Sequence, residues 1–263
     1  MNDSARPVHT ASKVPAVTLG FWIIKILATT LGETAGDTVS MSWLGETTDA
    51  ATGWGYLIGT AIFGAALVAL VALQIRAKAF RPWLYWATII ASTTAGTTLA
   101  DFATRSLGIG YAGGSAVLFG AVLAALLVWY RATGSISVSS VADARSEAFY
   151  WGTITLSQTL GTALGDWTAD TGGLGYLGGA TLFALALAAL VGLWRFTQAS
   201  RVVLFWAAFI LTRPLGATVG DFLDKPLAHG GLDLSRPLAS LVLIVAIGGL
   251  IQLLPQRPAP QQH

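Results

Sequence analysis

The sequence contains no cysteine among its 263 residues, and only 11% of them carry charge. The absence of cysteine excludes disulfides, thiolate metal ligands and thiol redox chemistry. The whole chain has only two Met and three His, so it offers few ligands for haem or for soft metals. Soluble domains have about 25% charged residues, so the low charge, the 54% apolar content and the mean hydropathy of +0.65 indicate an integral membrane protein.

Common signatures of soluble enzymes are also missing. The sequence has no Gly-rich nucleotide loop ending in Lys-Ser/Thr, no paired His-Glu metal motif and no nucleophile elbow. We therefore predict that the protein is not an enzyme, with an intramembrane enzyme using coupled Asp pairs as the alternative. The pI near 9.0 does not indicate a nucleic-acid partner, because the basic residues are scattered through short loops.

What the chain does have is eight apolar stretches, each long enough to cross about 30 Å of hydrocarbon as a helix. Their continuous Leu, Ala, Val and Gly content favours helices over strands with a period of two. We predict an all-α integral membrane protein with eight transmembrane helices, built as four parallel two-helix repeats. The predicted helices cover residues 19–38, 56–76, 82–101, 112–131, 148–167, 176–195, 201–222 and 236–254.

The repeats rest on a motif that occurs four times: a Trp, nine residues, a Gly, three residues, a small residue and an Asp. Each copy lies on an odd-numbered span, so the unit is two helices and all units enter the membrane in one direction. We expect the indoles of Trp22, Trp86, Trp151 and Trp206 to anchor at the lipid headgroups. Small residues spaced by four pack helices closely in lipid, and the predicted packing residues are Gly32, Gly36, Gly96, Ala100, Gly161, Gly165, Gly216 and Gly220.

The loops predict the orientation. Ten Lys and Arg residues lie outside the spans on one side and three on the other, which places both termini in the cytoplasm. The N-terminal stretch lacks the apolar core of a cleavable signal peptide, so we expect the chain from Phe21 onward to form an uncleaved first span. The predicted divisions are an N-terminal cytoplasmic tail (1–18), a first membrane half (19–132), a cytoplasmic linker (133–146), a second membrane half (147–254) and a C-terminal cytoplasmic tail (255–263).

The four motif Asp residues predict an ion site. An Asp at the C-terminal end of a membrane helix is disfavoured by the lipid and by the helix dipole, so a bound cation or a basic partner should compensate it. Alternatively, each Asp ends its helix and caps a short following segment. Oxygen ligands suit Mn²⁺, Mg²⁺, Ca²⁺ or Na⁺. Adding the oxygen-bearing side chains one turn before each Asp, the candidate ligands are Glu33, Thr34, Asp37, Thr97, Thr98, Asp101, Thr162, Asp166, Thr218 and Asp221.

Two basic residues interrupt the apolar spans. Arg213 lies inside the seventh span, and an intramembrane Arg indicates function. In the repeat frame Arg213 and Glu33 are one turn apart, so they should pair if the first and seventh spans touch, as either a mobile gate or a buried staple. We group Lys25 with this charge pair, although its position near the cytoplasmic end predicts that its ammonium snorkels to the headgroups.

The motif strings resemble those of a bacterial family of uncharacterised multi-pass membrane, or membrane-anchored, proteins. The strings are Leu-Gly-Glu-Thr-Ala-Gly-Asp at 31–37, Ser-Gln-Thr-Leu-Gly-Thr-Ala-Leu-Gly-Asp-Trp at 157–167 and Thr-Arg-Pro-Leu-Gly-Ala-Thr-Val-Gly-Asp at 212–221. The resemblance covers residues 13–255 and implies a multi-pass protein of the bacterial inner (cytoplasmic) membrane. Residues 33–37 also faintly resemble the Glu-x-Gly-Asp signature of cation/proton exchangers, with the Glu one residue further from the Asp.

These observations predict a secondary transporter that exports a hard cation such as Mn²⁺, with protons competing for the carboxylates. The expected partners are the lipid bilayer and a metal ion or other small cation, the divalent cation being substrate rather than a tightly bound cofactor. Two alternatives stay open: a cation channel with an outer Asp ring, and a non-transporting scaffold or assembly factor whose Gly faces bind a partner span. Homo-oligomerisation also stays open.

Overall fold

The computed structural model describes residues 12–49 and 51–260, and within them the protein is helical, with eight long helices and no strand. The predicted eight helices are confirmed. Helix α5 begins at Ala144 instead of the predicted residue 148, because the Asp143 carboxylate caps it by accepting hydrogen bonds from the backbone amides of Arg145 and Ser146. The helices are α1 (Leu19–Asp37), α2 (Trp54–Arg76), α3 (Pro82–Asp101), α4 (Tyr111–Thr133), α5 (Ala144–Asp166), α6 (Gly175–Phe196), α7 (Arg201–Asp224) and α8 (Arg236–Leu253).

The chain stays helical beyond each motif Asp. Helices α1, α3 and α5 pass directly into π-helical turns at Thr38–Trp43, Phe102–Ser106 and Trp167–Thr171, and α7 continues as an α-helix to Asp224. None of the three Asp side chains at these junctions makes a capping hydrogen bond. The alternative in which each Asp ends its helix as a cap is therefore wrong. Widened π turns often occur at functional sites.

The four odd-numbered helices form a closed ring, and we call them the central helices. Each packs against two neighbours, in the order α1, α3, α5, α7 and back to α1. The even-numbered, peripheral helices pack outside the ring: α2 on α3, α4 on α5, α6 on α7 and α8 on α1. Each peripheral helix therefore covers the central helix of the following unit, and α8 completes the circle.

The apolar surface of the molecule lies on the peripheral helices. Five helices are long and apolar enough to cross a membrane, namely α2, α4, α6, α7 and α8. In the peripheral ones only 17–28% of the apolar window is buried inside the protein, against 56% in α7. The polar central helices are thus enclosed by apolar ones, which is the arrangement expected of a multi-pass membrane protein.

Axis-facing residues of the central helices form levels of four equivalent positions, spaced four residues apart along each helix. Every one of these side chains is at most 9% exposed. The axis therefore changes from aromatic to acidic over five levels. We call the end near the chain termini the terminal end and the opposite end the aspartate end. In that order, the five levels are the aromatic level (Phe21, Tyr85, Tyr150 and Phe205), the Lys25 level (with Ile89, Ile154 and Phe209), the Arg213 level (with Thr29, Thr93 and Gln158), the Glu33 level (with Thr97, Thr162 and Ala217) and the aspartate level (Asp37, Asp101, Asp166 and Asp221).

Three of the four motif indoles pack inside the protein beside the aromatic level, and the fourth, Trp22, is half-buried. Trp86, Trp151 and Trp206 are at most 3% exposed, so the expectation that they anchor at the headgroups is wrong. Two of their ring nitrogens have partners within the protein: Trp86 Nε1 donates to Gln256 Oε1 at 3.1 Å, and Trp206 Nε1 donates to the Ile136 carbonyl at 2.9 Å. The aromatic residue before each Trp also points inward, so each motif contributes two rings to one cluster.

Two segments near the termini cover the terminal end. Residues 12–16 pair with 256–259 through backbone hydrogen bonds from Ala16 to Arg257 at 2.7 Å and from Ala259 to Val14 at 2.8 Å. Lys13 also makes a 2.6 Å ion pair with Glu147 at the start of α5. The described parts of the predicted tails therefore pack against the membrane halves and the linker, whereas residues 1–11 and 261–263 lie outside the described residues.

Candidate cation site

Motif glycines allow the central helices to approach closely. At the first Gly of each motif, and also at Gly220, an added Cβ would lie less than 3 Å from an atom of the next central helix, so a larger residue would force that neighbour to shift. The second small residues of the motifs sit in the same interfaces, since Gly36, Gly165 and Gly220 face Thr97, Ala217 and Glu33 and Ala100 is buried. The four close pairs, in ring order, are Gly32 with Thr93, Gly96 with Thr159, Gly161 with Arg213, and Gly216 with Thr29.

Arg213 lies on the ring axis and is fully buried. From α7 its Nη2 lies 3.0 Å from Glu33 Oε2 on α1, and it donates at 2.5 Å to the hydroxyls of both Thr97 on α3 and Thr162 on α5. One guanidinium therefore joins all four central helices. Pro214 follows it without ending α7.

Lys25 is not part of that charge pair. Its side chain is fully buried, and its Nζ lies 4.2 Å above the Phe209 ring with no hydrogen-bond partner among the described residues. The expected snorkelling to the headgroups is wrong, because position 25 lies on the axis-facing side of α1, four residues before Thr29, and not on a lipid-facing side.

At the aspartate level the motif carboxylates are bridged in pairs by two basic residues, Arg105 and Lys225, which lie beyond the predicted spans. Arg105 and Lys225 each stand four residues after the Asp of their own unit and reach the Asp of the next unit in the ring. The spacing of four was the signal that could have found them. The distances are 2.7 Å from Arg105 Nε to Asp101 Oδ1, 3.5 Å from Arg105 Nη2 to Asp166 Oδ2, 3.0 Å from Lys225 Nζ to Asp221 Oδ1 and 2.5 Å from Lys225 Nζ to Asp37 Oδ2.

Two groups of buried carboxylates have the spacing of a metal site. Glu33, Asp166 and Asp221 each offer an oxygen within 4.8 Å of the other two, and so do Asp37, Asp221 and Asp224. Several of the oxygens accept no hydrogen bond from the described residues, namely Asp37 Oδ1 and both oxygens of Asp224, although Lys225 and Arg236 lie 4.0 and 3.6 Å from the latter two. Asp224 was not among the predicted ligands, since it lies beyond the motif.

The charges around the site do not balance. From the Arg213 level to the aspartate end, six buried carboxylates face four basic groups. The excess of two negative charges equals the charge of one divalent cation or two protons. Buried charge is costly unless it is compensated. The acidic groups are Glu33, Asp37, Asp101, Asp166, Asp221 and Asp224, and the basic groups are Arg105, Arg213, Lys225 and Arg236.

Three predicted threonine ligands lie away from this site. Thr34, Thr98 and Thr218 each hydrogen-bond to a carbonyl of their own helix, a common role of membrane Thr. They also face the peripheral helices, as in the 2.9 Å bond between the Thr34 and Ser240 hydroxyls. Their position, one residue after the Glu33 level, turns them off the axis, so they do not belong to the carboxylate groups.

A cavity of about 800 Å³ opens at the aspartate end. Its walls include Arg105, Asp224, Lys225 and Arg236, together with Asp170 of the third π-helical turn. The basic residues that hold the motif Asp residues therefore also line this cavity. The cavity therefore lies next to the aspartate level, whereas the terminal end is filled by aromatic rings.

Comparison with known proteins identifies the repeat itself. No curated protein and no solved structure matches the chain. The bacterial source and the similarity to cation/proton exchangers stay predictions. A family model matches four times, at residues 20–80, 84–135, 149–200 and 204–254, which are the four two-helix units of the ring. The chain therefore belongs to the family described as Repeat of Unknown Function (DUF347).

Proposed function

We propose that the protein is a secondary membrane transporter that exports a hard cation such as Mn²⁺, with protons competing for the carboxylates. The observation that carries this proposal is the group formed by Glu33, Asp166 and Asp221, whose oxygens from three central helices lie within 4.8 Å of one another. Carboxylate oxygens are the ligands that Mn²⁺, Mg²⁺ and Ca²⁺ prefer.

The proposed setting is a bacterial inner membrane crossed by all eight helices. Apolar peripheral helices supply the lipid-facing surface, and among the described helices the buried charged side chains lie on the central ones. The excess of basic residues in the loops of the terminal end supports a cytoplasmic location for that end. The cavity at the aspartate end then faces the outside.

Arg213 supports a carrier in which the Arg213 guanidinium and the transported cation bind Glu33 alternately. Its guanidinium contacts Glu33 at 3.0 Å, so it neutralises one member of the carboxylate group when no metal is bound. A divalent cation at Glu33 would compete with Arg213 for that carboxylate. Protonation of two carboxylates would equally remove the excess charge, which gives protons and metal a common site.

The alternatives fit the arrangement less well. A channel with an outer Asp ring needs a continuous aqueous path, yet the axis is filled by Arg213 and then by the aromatic level. A scaffold that binds a partner span through its Gly faces would need those faces free. The motif glycines instead contact the neighbouring central helices of the same chain.

Transport by purified protein in proteoliposomes tests the proposal. Asp166→Asn removes one ligand charge with little change in shape, and we expect the initial rate of Mn²⁺ flux, followed with an enclosed metal-sensitive dye, to fall about tenfold or more. The matched control is Asp49→Asn in an exposed loop, which should transport at the wild-type rate. Equal rates for Asp166→Asn and wild type would contradict the proposal, and single-channel currents would favour the channel.

A further inference from the structure

Five buried polar atoms on the ring axis have no hydrogen-bond partner among the described residues, and none belongs to the carboxylate groups. They are Lys25 Nζ, Thr93 Oγ1, both amide atoms of Gln158 and Arg213 Nε. All four residues are 0% exposed. Buried polar groups are nearly always hydrogen-bonded, so a cluster of this kind indicates that something else binds there.

These atoms occupy two adjacent levels of the ring. Thr93, Gln158 and Arg213 stand at equivalent positions of α3, α5 and α7, and Lys25 lies one level nearer the terminal end on α1. The helices are tightly joined here, since an added Cβ on Gly96 would lie 3.0 Å from Gln158 Cβ. Arg213 Nη2 also lies 3.5 Å from the Thr93 carbonyl oxygen.

The cluster consists mainly of donors. Lys25, the Arg213 Nε–H, the Gln158 amide nitrogen and the Thr93 hydroxyl can all donate, the Gln158 amide oxygen can only accept, and Lys25 and Arg213 are basic. Glu33 is the acidic member of the levels next to Arg213, and it already contacts the Arg213 guanidinium. Lys25 makes no ion pair with any described residue. A buried ammonium without a counter-ion is strongly disfavoured, so this position requires either a neutral amine or a bound anion.

We propose that the axis between Lys25 and Arg213 binds a small inorganic anion of the chloride class. A bound water would satisfy donors but supply no charge, whereas a monoanion would do both. The complete burial of the surrounding side chains favours a single-atom anion over a phosphate or a carboxylic acid. This site is separate from the cation site, which lies at the Glu33 and aspartate levels, and it does not depend on the proposed transport.

Thermal unfolding of the purified full-length protein in detergent tests this site, with chloride exchanged for gluconate at constant ionic strength. We expect the unfolding temperature to rise by about 4 °C between a chloride-free buffer and saturating chloride. Lys25→Met removes the amine but keeps most of the length of the unbranched side chain, and it should abolish the rise. Lys78→Met, at an exposed loop position, should keep it. A wild-type protein indifferent to chloride, or a Lys25→Met variant that keeps the rise, would overturn the proposal.

A second measurement does not depend on any variant folding. Crystals of the wild-type protein grown in bromide should show one anomalous peak within hydrogen-bonding distance of Lys25 Nζ, and no peak there would overturn the proposal. The chloride response should also survive in Asp166→Asn. A protein that keeps this response but fails to transport Mn²⁺ would therefore contradict only the proposed function.

Discussion

At the scale of single residues, the function proposed here depends on how the four units differ. At the Arg213 level the equivalent residues are Thr29, Thr93, Gln158 and Arg213, so one unit supplies a charge that the others lack. At the level beyond the aspartates the basic residues Arg105 and Lys225 alternate with Met41 and Asp170. The repeat builds the ring, and its exceptions provide the chemistry.

Glycine 161 tests the close approach of α5 and α7. An added Cβ would lie 2.1 Å from Arg213 Cγ and 3.0 Å from Pro214 Cδ, so Gly161→Ala should lower the free energy of unfolding by about 1–3 kcal/mol through overpacking. The control in the same helix is Gly152→Ala, where an added Cβ meets no atom within 4 Å. That variant should gain up to about 1 kcal/mol from helix propensity. Equal stability of the two variants in denaturant titrations would contradict the packing.

The Arg213–Glu33 pair gives a second prediction. Arg213→Met leaves Glu33 buried without its counter-ion, and breaking such a pair costs about 3–5 kcal/mol of unfolding free energy. Adding Glu33→Gln removes the orphaned charge, so the double variant should recover most of that loss. A double variant no more stable than the single one would show that the guanidinium acts mainly through its hydrogen bonds to Thr97 and Thr162.

At the scale of the helices, the sequence predicted the elements well and their surroundings less well. Long apolar runs located all eight helices, because continuous hydrophobicity is a local property of the chain. Which face of a helix meets a neighbour is not local. The indoles of Trp86 and Trp151 have the spacing of headgroup anchors, yet they are buried because Tyr85 and Tyr150 pack beside them.

The start of α5 provides a prediction with a defined pH dependence. The Ser146 hydroxyl and the amides of Ser146 and Arg145 hydrogen-bond to Asp143 and lower the pKa of its carboxyl. A lowered pKa contributes stability at pH values above the unfolded pKa of about 3.9, and this contribution is lost as the pH falls through the folded pKa. Asp143→Ala should cost about 1 kcal/mol at pH 7.

Asp143→Asn is the matched control for this cap. It keeps a capping oxygen without the titrating charge, so it should retain most of the stability at pH 7 and lose the pH dependence. Unfolding titrations at pH 7 and pH 3 measure both effects. A wild-type protein whose difference from Asp143→Ala is the same at both pH values would contradict this role of the carboxylate.

At the scale of the whole molecule, the repeat frame predicted that the four motif Asp residues share one end of the protein. It did not predict that Arg105 and Lys225 bridge them, because the predicted spans 82–101 and 201–222 end before these two residues. Asp224 was missed for the same reason. It lies beyond the predicted seventh span, but α7 continues past Asp221 and brings Asp224 to the other carboxylates. The order of the ring, with each peripheral helix on the next unit, depends on contacts between units and was not predicted.

The orientation in the membrane can be tested directly because the chain contains no cysteine. Single substitutions Thr47→Cys, at the aspartate end, and Ala199→Cys, in the exposed α6–α7 loop, should react with a membrane-impermeant maleimide from opposite sides. In intact bacterial cells we expect only Thr47→Cys to be labelled, with both labelled after the membrane is opened. Labelling of Ala199→Cys in intact cells would reverse the orientation.

The packing of each peripheral helix on the following unit means that no unit shields its own central helix. Within the first half, α2 covers α3, but α4 covers α5 of the second half, and α8 returns to cover α1. The halves are thus reciprocally exchanged, as in a domain-swapped dimer. In a polypeptide of only two such units, one peripheral helix would lack the central helix on which it packs, and one central helix would lack a covering peripheral helix. Such a polypeptide would have to pair with a second copy of itself to complete the ring.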